Sequence, residues 1–320
     1  MSVDWLFRSL LFCPANEPRK VARLARSAAD AVVLDLEDAV ADAHKIAARG
    51  AAREALSALD GVTRCVRVNS FETGLTAGDV AAVVCAELDA IVLPKAETVQ
   101  DIRRLDRLIV RAEATNGVAA GAVRVIAIVE TCAGIAAAAE LAGGGSRLCQ
   151  IVFGAGDLAA DLGLPTIRGD LSAALAYGRA KIVYAARAAG LLPPVDGPYL
   201  HVRDLAGFAR DSETARALGH GGRLCLHPDQ VPVVNRVFSP DAEEVAFARK
   251  LIAAFAEAEG AGSASITVDG VFVDYPIARK ARHIVALADA IAAREAGRSH
   301  STGDAAGPSS RATVSTGDQA

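Results

Sequence analysis

The chain has 320 residues, of which 52% are hydrophobic, 22% charged and only 4% aromatic, and its formal net charge is −4. That length suits one large barrel or two ordinary domains with full cores. Lys and Arg are scattered through amphipathic stretches rather than gathered in a run, which argues against nucleic acid as a partner and leaves room for a small basic pocket for an anionic substrate.

The first residues, MSVDWLFRSLLF, carry Asp4 and Arg8 within a very short apolar stretch and have no small-residue cleavage site, so they predict neither a signal peptide nor a membrane span. From Ser9 onward short β-like runs alternate with longer helical ones, the pattern of repeated βα units on a parallel sheet. Strands are expected at Ser9 to Cys13, Ala31 to Leu36, Arg64 to Val68, Ala90 to Leu93, Val123 to Val129, Leu148 to Phe153, weakly around Val195 and Tyr199, and at Gly222 to Leu226. Helices are expected between them, for example Pro18 to Ala29, Ala43 to Leu59, Thr98 to Thr115 and Leu171 to Ala189. Eight such units predict a single TIM (β/α)8 barrel over residues 1–259. An open dinucleotide-binding sheet is the rival, but the first strand is followed by Pro14-Ala15-Asn16-Glu17-Pro18 rather than a GxGxxG turn. A helix from Pro240 to Glu259 follows, with Asp241, Glu243 and Glu244 in its first turn. Residues 260–296 then read as an appendage made of a Gly/Ser linker, the β-like ITVDGVFVDYP and a last helix, and residues 297–320 as a disordered tail. The six cysteines form no CxxC pair and several lie in apolar runs, so they read as buried reduced thiols in a cytoplasmic protein.

In a barrel of this kind the chemistry sits where the strands end. The second strand ends in Asp35, Glu37 and Asp38, the third in Arg67 and Asn69, the fourth in Lys95, the fifth in Glu130 and the sixth in Asp157. Carboxylates at two adjacent strand ends suit a hard divalent ion, Mg²⁺ with Mn²⁺ as an alternative, completed by water and substrate oxygens. The same two residues also suit plain helix capping, and the spacing alone leaves both readings open. Zinc is disfavoured because no close His or Cys pair stands at ligand spacing. The planar fork of Arg67 suits a carboxylate or enolate oxygen, and equally a salt bridge to Glu37 or Asp38. Lys95 suits a Schiff base or, better, an ion pair with the surrounding acids. His227 ends the eighth strand, where a helix-entry role before Pro228 is the better reading. Gly154 and Gly156 allow a tight turn and close approach of substrate. No GxSxG or P-loop is present.

Together the motifs RSLLFCPAN, AVVLDLEDAV, RVNS, DAIVLPKAE, AIVETCAGI, FGAGDLAADLG, LCLHPDQV, FSPDAEEVAFARKL and DGVFVDYPIARKAR resemble the citrate lyase beta-subunit-like family, which includes malyl-CoA and citramalyl-CoA lyases within the HpcH/HpaI aldolase superfamily. The resemblance runs from Arg8 to about Ala293. It implies Mg²⁺ on Glu130 and Asp157, substrate binding by Arg67 and Glu130, and Glu37 and Asp38 orienting Arg67. It further implies a homotrimer or hexamer in which Asp274 completes a neighbouring subunit's site as acid/base, and CoA, as part of an acyl-CoA substrate, lying near Arg19 and Lys20. The expected reaction is retro-Claisen cleavage of a 3-hydroxyacyl-CoA. Its rivals are a citrate lyase beta subunit acting on a carrier-linked thioester, a malyl-CoA thioesterase, an aldolase on free 2-oxo acids, and an inactive scaffold. Two positions depart from the family pattern: Gly156, where many relatives have an acid, and the stretch around His201, which reads LHVRD.

Overall fold

The computed structural model describes residues 5–24, 26–165 and 171–303. They divide into two compact units between Ala242 and Glu243.

In the first unit, strands and helices alternate in the expected order. The chain runs β1 (Ser9–Pro14), α1 (Pro18–Leu24), β2 (Ala31–Asp35), α2 (Lys45–Ala58), β3 (Thr63–Arg67), α3 (Thr76–Val83), β4 (Ala90–Leu93), α4 (Val99–Asn116) and β5 (Arg124–Val129). It continues through α5 (Cys132–Ala136), α6 (Ala138–Ala142), β6 (Leu148–Phe153), α7 (Ala155–Asp161), α8 (Ser172–Ala188), β7 (Val195–Asp196), α9 (Leu205–Leu218), β8 (Gly222–Cys225) and α10 (Gln230–Val237). Each strand pairs in parallel with the next, and β8 returns to β1 with Leu224 opposite Leu10, so the sheet is a closed TIM barrel.

Burial on both faces explains why the strands read as unbroken apolar runs. In β2, Ala31 and Val33 pack inside the barrel with Leu10, Cys65, Val92, Ile126 and Ile128, while Val32 and Leu34 belong to the larger layer under the helices. The helices carry their own local signals. In α4 the Thr98 side chain accepts from the Asp101 N–H and the Asp101 carboxylate from the Thr98 N–H, a reciprocal capping box, and Gly117 ends the helix at φ 70°.

β7 is the weak strand, and its flanks say why. Pro193 and Pro194 lead into it and Pro198 follows, removing N–H donors on both sides, so a single ladder pair, Val152 with Val195, joins it to β6. Side chains supply the missing bonds: Gln150 Nε2 donates to Pro193 O at 2.6 Å, and Arg223 Nε to Gly197 O at 3.0 Å.

The second unit begins earlier than the sequence suggests. Helix α11 (Ala242–Gly260), expected to end the barrel domain, buries Leu251 and Phe255 against Val268, Val273 and Ala278 of the segments that follow it. Those segments are a hairpin, β9 (Ile266–Val268) and β10 (Val271–Val273), and helix α12 (Tyr275–Gly303). Asp269 at φ 49° and Gly270 at φ 80° form the two-residue turn that an Asp-Gly pair favours. Helix α12 continues to Gly303, past Gly297, where the sequence expects order to end; residues 304–320 lie outside the described residues. Among the described residues no helix is long and apolar enough to cross a membrane.

Candidate active site

The period-two alternation that fills the barrel also builds its mouth. Two residues beyond the inward-facing Val33 comes Asp35, two beyond Cys65 comes Arg67, and two beyond Ile128 comes Glu130. Asp35 and Arg67 are direct ladder partners across β2 and β3. Arg67 Nε and Nη2 donate to the two Asp35 oxygens at 2.7 and 2.6 Å, a two-pronged pair, and the guanidinium lies 5.3 Å from the centre of the Phe12 ring. Asp35 also accepts the N–H groups of Glu37 and Ala39 at 2.9 and 3.0 Å, which fixes the loop after β2. Arg67 Nη1 stands 2.8 Å from Glu37 Oε2 and 3.7 Å from Asp38 Oδ2. The Glu37 contact is off-angle, so its buried Oε2 has an ion-pair partner but no hydrogen bond. Burial pushes the Glu37 carboxyl up to about 7 against the pull of Arg67, with Asp38 and Asp35 adding to the rise. Burial alone would lower Arg67, yet Asp35, Glu37 and Asp38 raise it, so it stays a cation.

Across the mouth, Glu130 is 4% exposed and its Oε1 accepts the backbone N–H of Lys95 at 2.9 Å. Burial raises its carboxyl well above the ordinary range, and Asp157, facing it from the first turn of α7, raises it further. Gly154 gives Glu130 its space: a Cβ there would stand 2.2 Å from Glu130 Cβ and 2.5 Å from its Oε2. Close approach is thus the role of Gly154, whereas a Cβ on Gly156 would meet nothing within 4 Å. Lys95 holds φ 50°, a left-handed backbone that a β-substituted residue seldom adopts.

Not every polar strand end belongs to this group. Asn69 joins a buried structural network, taking Lys45 Nζ at 2.7 Å on its Oδ1 and donating Nδ2 to Asp79 at 2.9 Å. His227 accepts the Asp229 N–H at 3.2 Å on Nδ1, the helix-entry role expected of it. Arg19 and Lys20 are exposed on α1, with Lys20 3.6 Å from Glu17. Asp274, in the second unit, caps α12: its Oδ1 accepts the Ile277 N–H at 3.2 Å. All six cysteines are free thiols, and five are buried as expected. Cys132 is the exception; α5 begins at it, and its N–H is turned to Asp161 at 2.6 Å, leaving the residue exposed. Sequence reasoning passed over Asp35 as the anchor of Arg67. The alternation of AVVLD was the available signal, since it turns Asp35 inward with Val33.

A cavity of about 750 Å³, lined by Gly156, Leu164, Leu175, Tyr199, His201 and Arg210 among others, adjoins Asp157 only through its chain neighbour Gly156; Arg67, Glu37, Lys95, Glu130 and Asp157 do not line it. That volume is in the range of small-molecule sites. The cluster also suits a divalent ion. Two facing carboxylates, one buried and forced toward its protonated form, are the donors that a hard cation would relieve of mutual repulsion. Among the described residues no group of three or more His, Cys, Asp or Glu forms a fuller metal cage. Such an ion would therefore draw its other ligands from water and substrate.

The family described as HpcH/HpaI aldolase/citrate lyase matches residues 8–228. The chain belongs to that family. Among its relatives, the citrate lyase subunit beta of Leuconostoc mesenteroides subsp. cremoris is 35% identical over 292 residues, covering 91% of this chain and 96% of the relative. A (3S)-malyl-CoA thioesterase of Cereibacter sphaeroides is 38% identical over 289 residues, covering 90% and 96%. Among solved structures, the CitE protein of Mycobacterium tuberculosis in complex with magnesium, acetoacetate and coenzyme A superposes with a TM-score of 0.72 at 33% identity, covering 89% of this chain and 98% of that one. Family membership agrees with the closed barrel and the lyase class inferred from the motifs.

Proposed function

We propose that this lyase cleaves, reversibly and with Mg²⁺, a 3-hydroxyacyl-CoA bearing a carboxylate on its hydroxyl carbon, of the malyl-, methylmalyl- or citramalyl-CoA kind, to an acyl-CoA and a 2-oxoacid. The observation that carries the reading is the pairing of buried Glu130 with Asp157 opposite an Arg67 held by Asp35 at the same barrel mouth. The solved relative that binds magnesium and coenzyme A supports the choice of ion and of thioester.

Glu130 and Asp157 would hold the ion, whose chemistry is to acidify the substrate hydroxyl and polarise the oxoacid that forms. Glu37, a buried carboxyl pushed up to about 7, would take the hydroxyl proton. As the C–C bond breaks, its electron pair moves into the thioester carbonyl, and the charge on that oxygen is met by Arg67. Asp35 prevents Arg67 from swinging away, so the donor is in place before charge develops. The enolate carbon then needs a proton, and Asp274 of a neighbouring copy in a homotrimer or hexamer would supply it. Its support is the exposed apolar setting of Asp274, between Phe272, 61% exposed, and Tyr275, 47% exposed, a surface suited to a second chain. Arg19 and Lys20, exposed beside the first strand end, would meet the CoA phosphates.

The thioesterase relative favours one second reading, hydrolysis of the thioester on the same residues. Incubation with Mg²⁺ and malyl-, citramalyl- and methylmalyl-CoA in turn, with oxoacid and free CoA measured separately, decides. Oxoacid that EDTA abolishes is the expected result. Free CoA without oxoacid selects hydrolysis, and no product from any thioester overturns both readings.

A further inference from the structure

Arg67 has little left to offer a substrate carboxylate. Its Nε and Nη2 are bound to Asp35 and its Nη1 faces Glu37 at 2.8 Å, which leaves the outer N–H groups for the enolate oxygen. Glu130 and Asp157 are anionic donors. A 3-hydroxyacyl thioester of the proposed kind brings a further carboxylate into this mouth, and that charge needs its own cation.

Among the described residues, Lys95 is a second cation in this cluster. It leaves β4 on the residue after Pro94, between the Glu37 and Glu130 sides of the mouth. The carboxylates of Glu37, Asp157, Asp38 and Glu130 all act on its ammonium, yet among the described residues none lies within ion-pair distance of it. The charge is attracted by the whole cluster and engaged by no member of it. Its backbone adds an independent observation. At φ 50° glycine or asparagine would be the cheaper residue, and the left-handed turn is needed in any case, since it aims the Lys95 N–H at Glu130 Oε1, 2.9 Å away. The turn explains the backbone and leaves the lysine side chain unexplained. Strain of this sort persists where the side chain has a task.

We propose that Lys95 binds the carboxylate of the substrate's oxoacid half, so that one residue positions Glu130 through its N–H and the substrate through its ammonium. The inference rests on the lyase reading above. It makes Lys95 a specificity-determining residue: it selects substrates whose hydroxyl carbon bears a carboxylate over those with a neutral substituent there.

Lys95→Gly separates the two roles, because glycine keeps the N–H and accepts the left-handed turn while removing the charge. Binding of glyoxylate, pyruvate and oxaloacetate to the parent in Mg²⁺, measured by calorimetry, identifies the oxoacid to follow. In Lys95→Gly its Kd is expected to rise about ten- to hundredfold, the loss of one charge-assisted hydrogen bond. The Kd for Mg²⁺ alone is expected to stay level or tighten, since a positive charge has left the carboxylate cluster, with a melting temperature no lower than the parent's. Oxoacid affinity within twofold of the parent overturns the proposal. So does a joint loss of Mg²⁺ and oxoacid affinity, which is the mark of a merely structural lysine. A parent that binds no oxoacid and cleaves no thioester fails differently, and removes the lyase reading on which the proposal stands.

Discussion

Gly154 and Glu130 show how tightly single atoms set this mouth. Because a Cβ at 154 would land 2.2 Å from Glu130 Cβ, Gly154→Ala is expected to displace the carboxylate, weaken Mg²⁺ binding at least tenfold by calorimetric titration, and destabilise the fold by about 1–3 kcal/mol. Gly156→Ala, with open space around it, is the control that leaves both unchanged. The raised carboxyls give a pH dependence with a definite sign. A carboxyl whose folded pKa exceeds its unfolded value stabilises most below the unfolded value, and that contribution is lost as pH rises through the folded one, about 7 for Glu37. Glu130 is raised in the same direction. Metal binding to deprotonated carboxylates opposes the loss, so the rise in melting temperature on adding Mg²⁺ is expected to be larger at pH 8 than at pH 5.5. An equal rise at both would show that neither carboxyl is perturbed. Arg67→Lys keeps the charge but not the fork that grips Asp35, and a fall in kcat/KM of about a hundredfold or more is expected in steady-state assays. Most of these residues were visible in the sequence as polar strand ends. The roles of Asp35 and Lys95 were hidden, because one depends on ladder register across β2 and β3 and the other on a backbone angle, and neither is written in residue type.

Among the elements, β7 is where the barrel depends on side chains rather than ladder bonds. It shares an ion network with its neighbours: Arg179 Nε donates to Asp196 of β7 at 3.1 Å, both Nη groups of Arg179 reach Asp211 at 3.2 and 3.1 Å, and Arg223 Nη2 is bound to Asp211. Arg223 is fully buried, so Arg223→Met leaves Asp211 and Asp196 short of partners, and a loss of about 3–5 kcal/mol is expected in urea denaturation. Hydrogen exchange should rise first at β7 and the N–H groups it pairs with. The same prolines that shorten this strand made it the faintest in the sequence. Strands β2, β4 and β6 were plain there because continuous apolar runs such as AVVL and AIVL are what a strand buried on both faces requires. Helix α11 was visible too. Its partner was not, since an apolar stripe declares that it is buried and leaves open against what.

For the whole molecule, the division of labour between the barrel and the second unit is open to a mixing experiment. Asp274→Ala and Glu130→Gln proteins, each inactive alone under the proposed scheme, are expected to recover activity when unfolded and refolded together, because some mouths then pair an intact Glu130 with an intact Asp274. No recovery would mean that Asp274 serves only as the cap of α12. The pairing of Leu10 with Leu224 carries a different consequence. Nearly the whole barrel lies between those two residues, so the first strand to leave a ribosome must wait for the last. At ordinary elongation rates that interval is on the order of ten to forty seconds. Throughout it β1 is an apolar strand with one naked edge, the kind that recruits strangers. The nascent chain's exposure to aggregation is therefore set by the clock of its own synthesis, and slow codons placed before β8 would lengthen it.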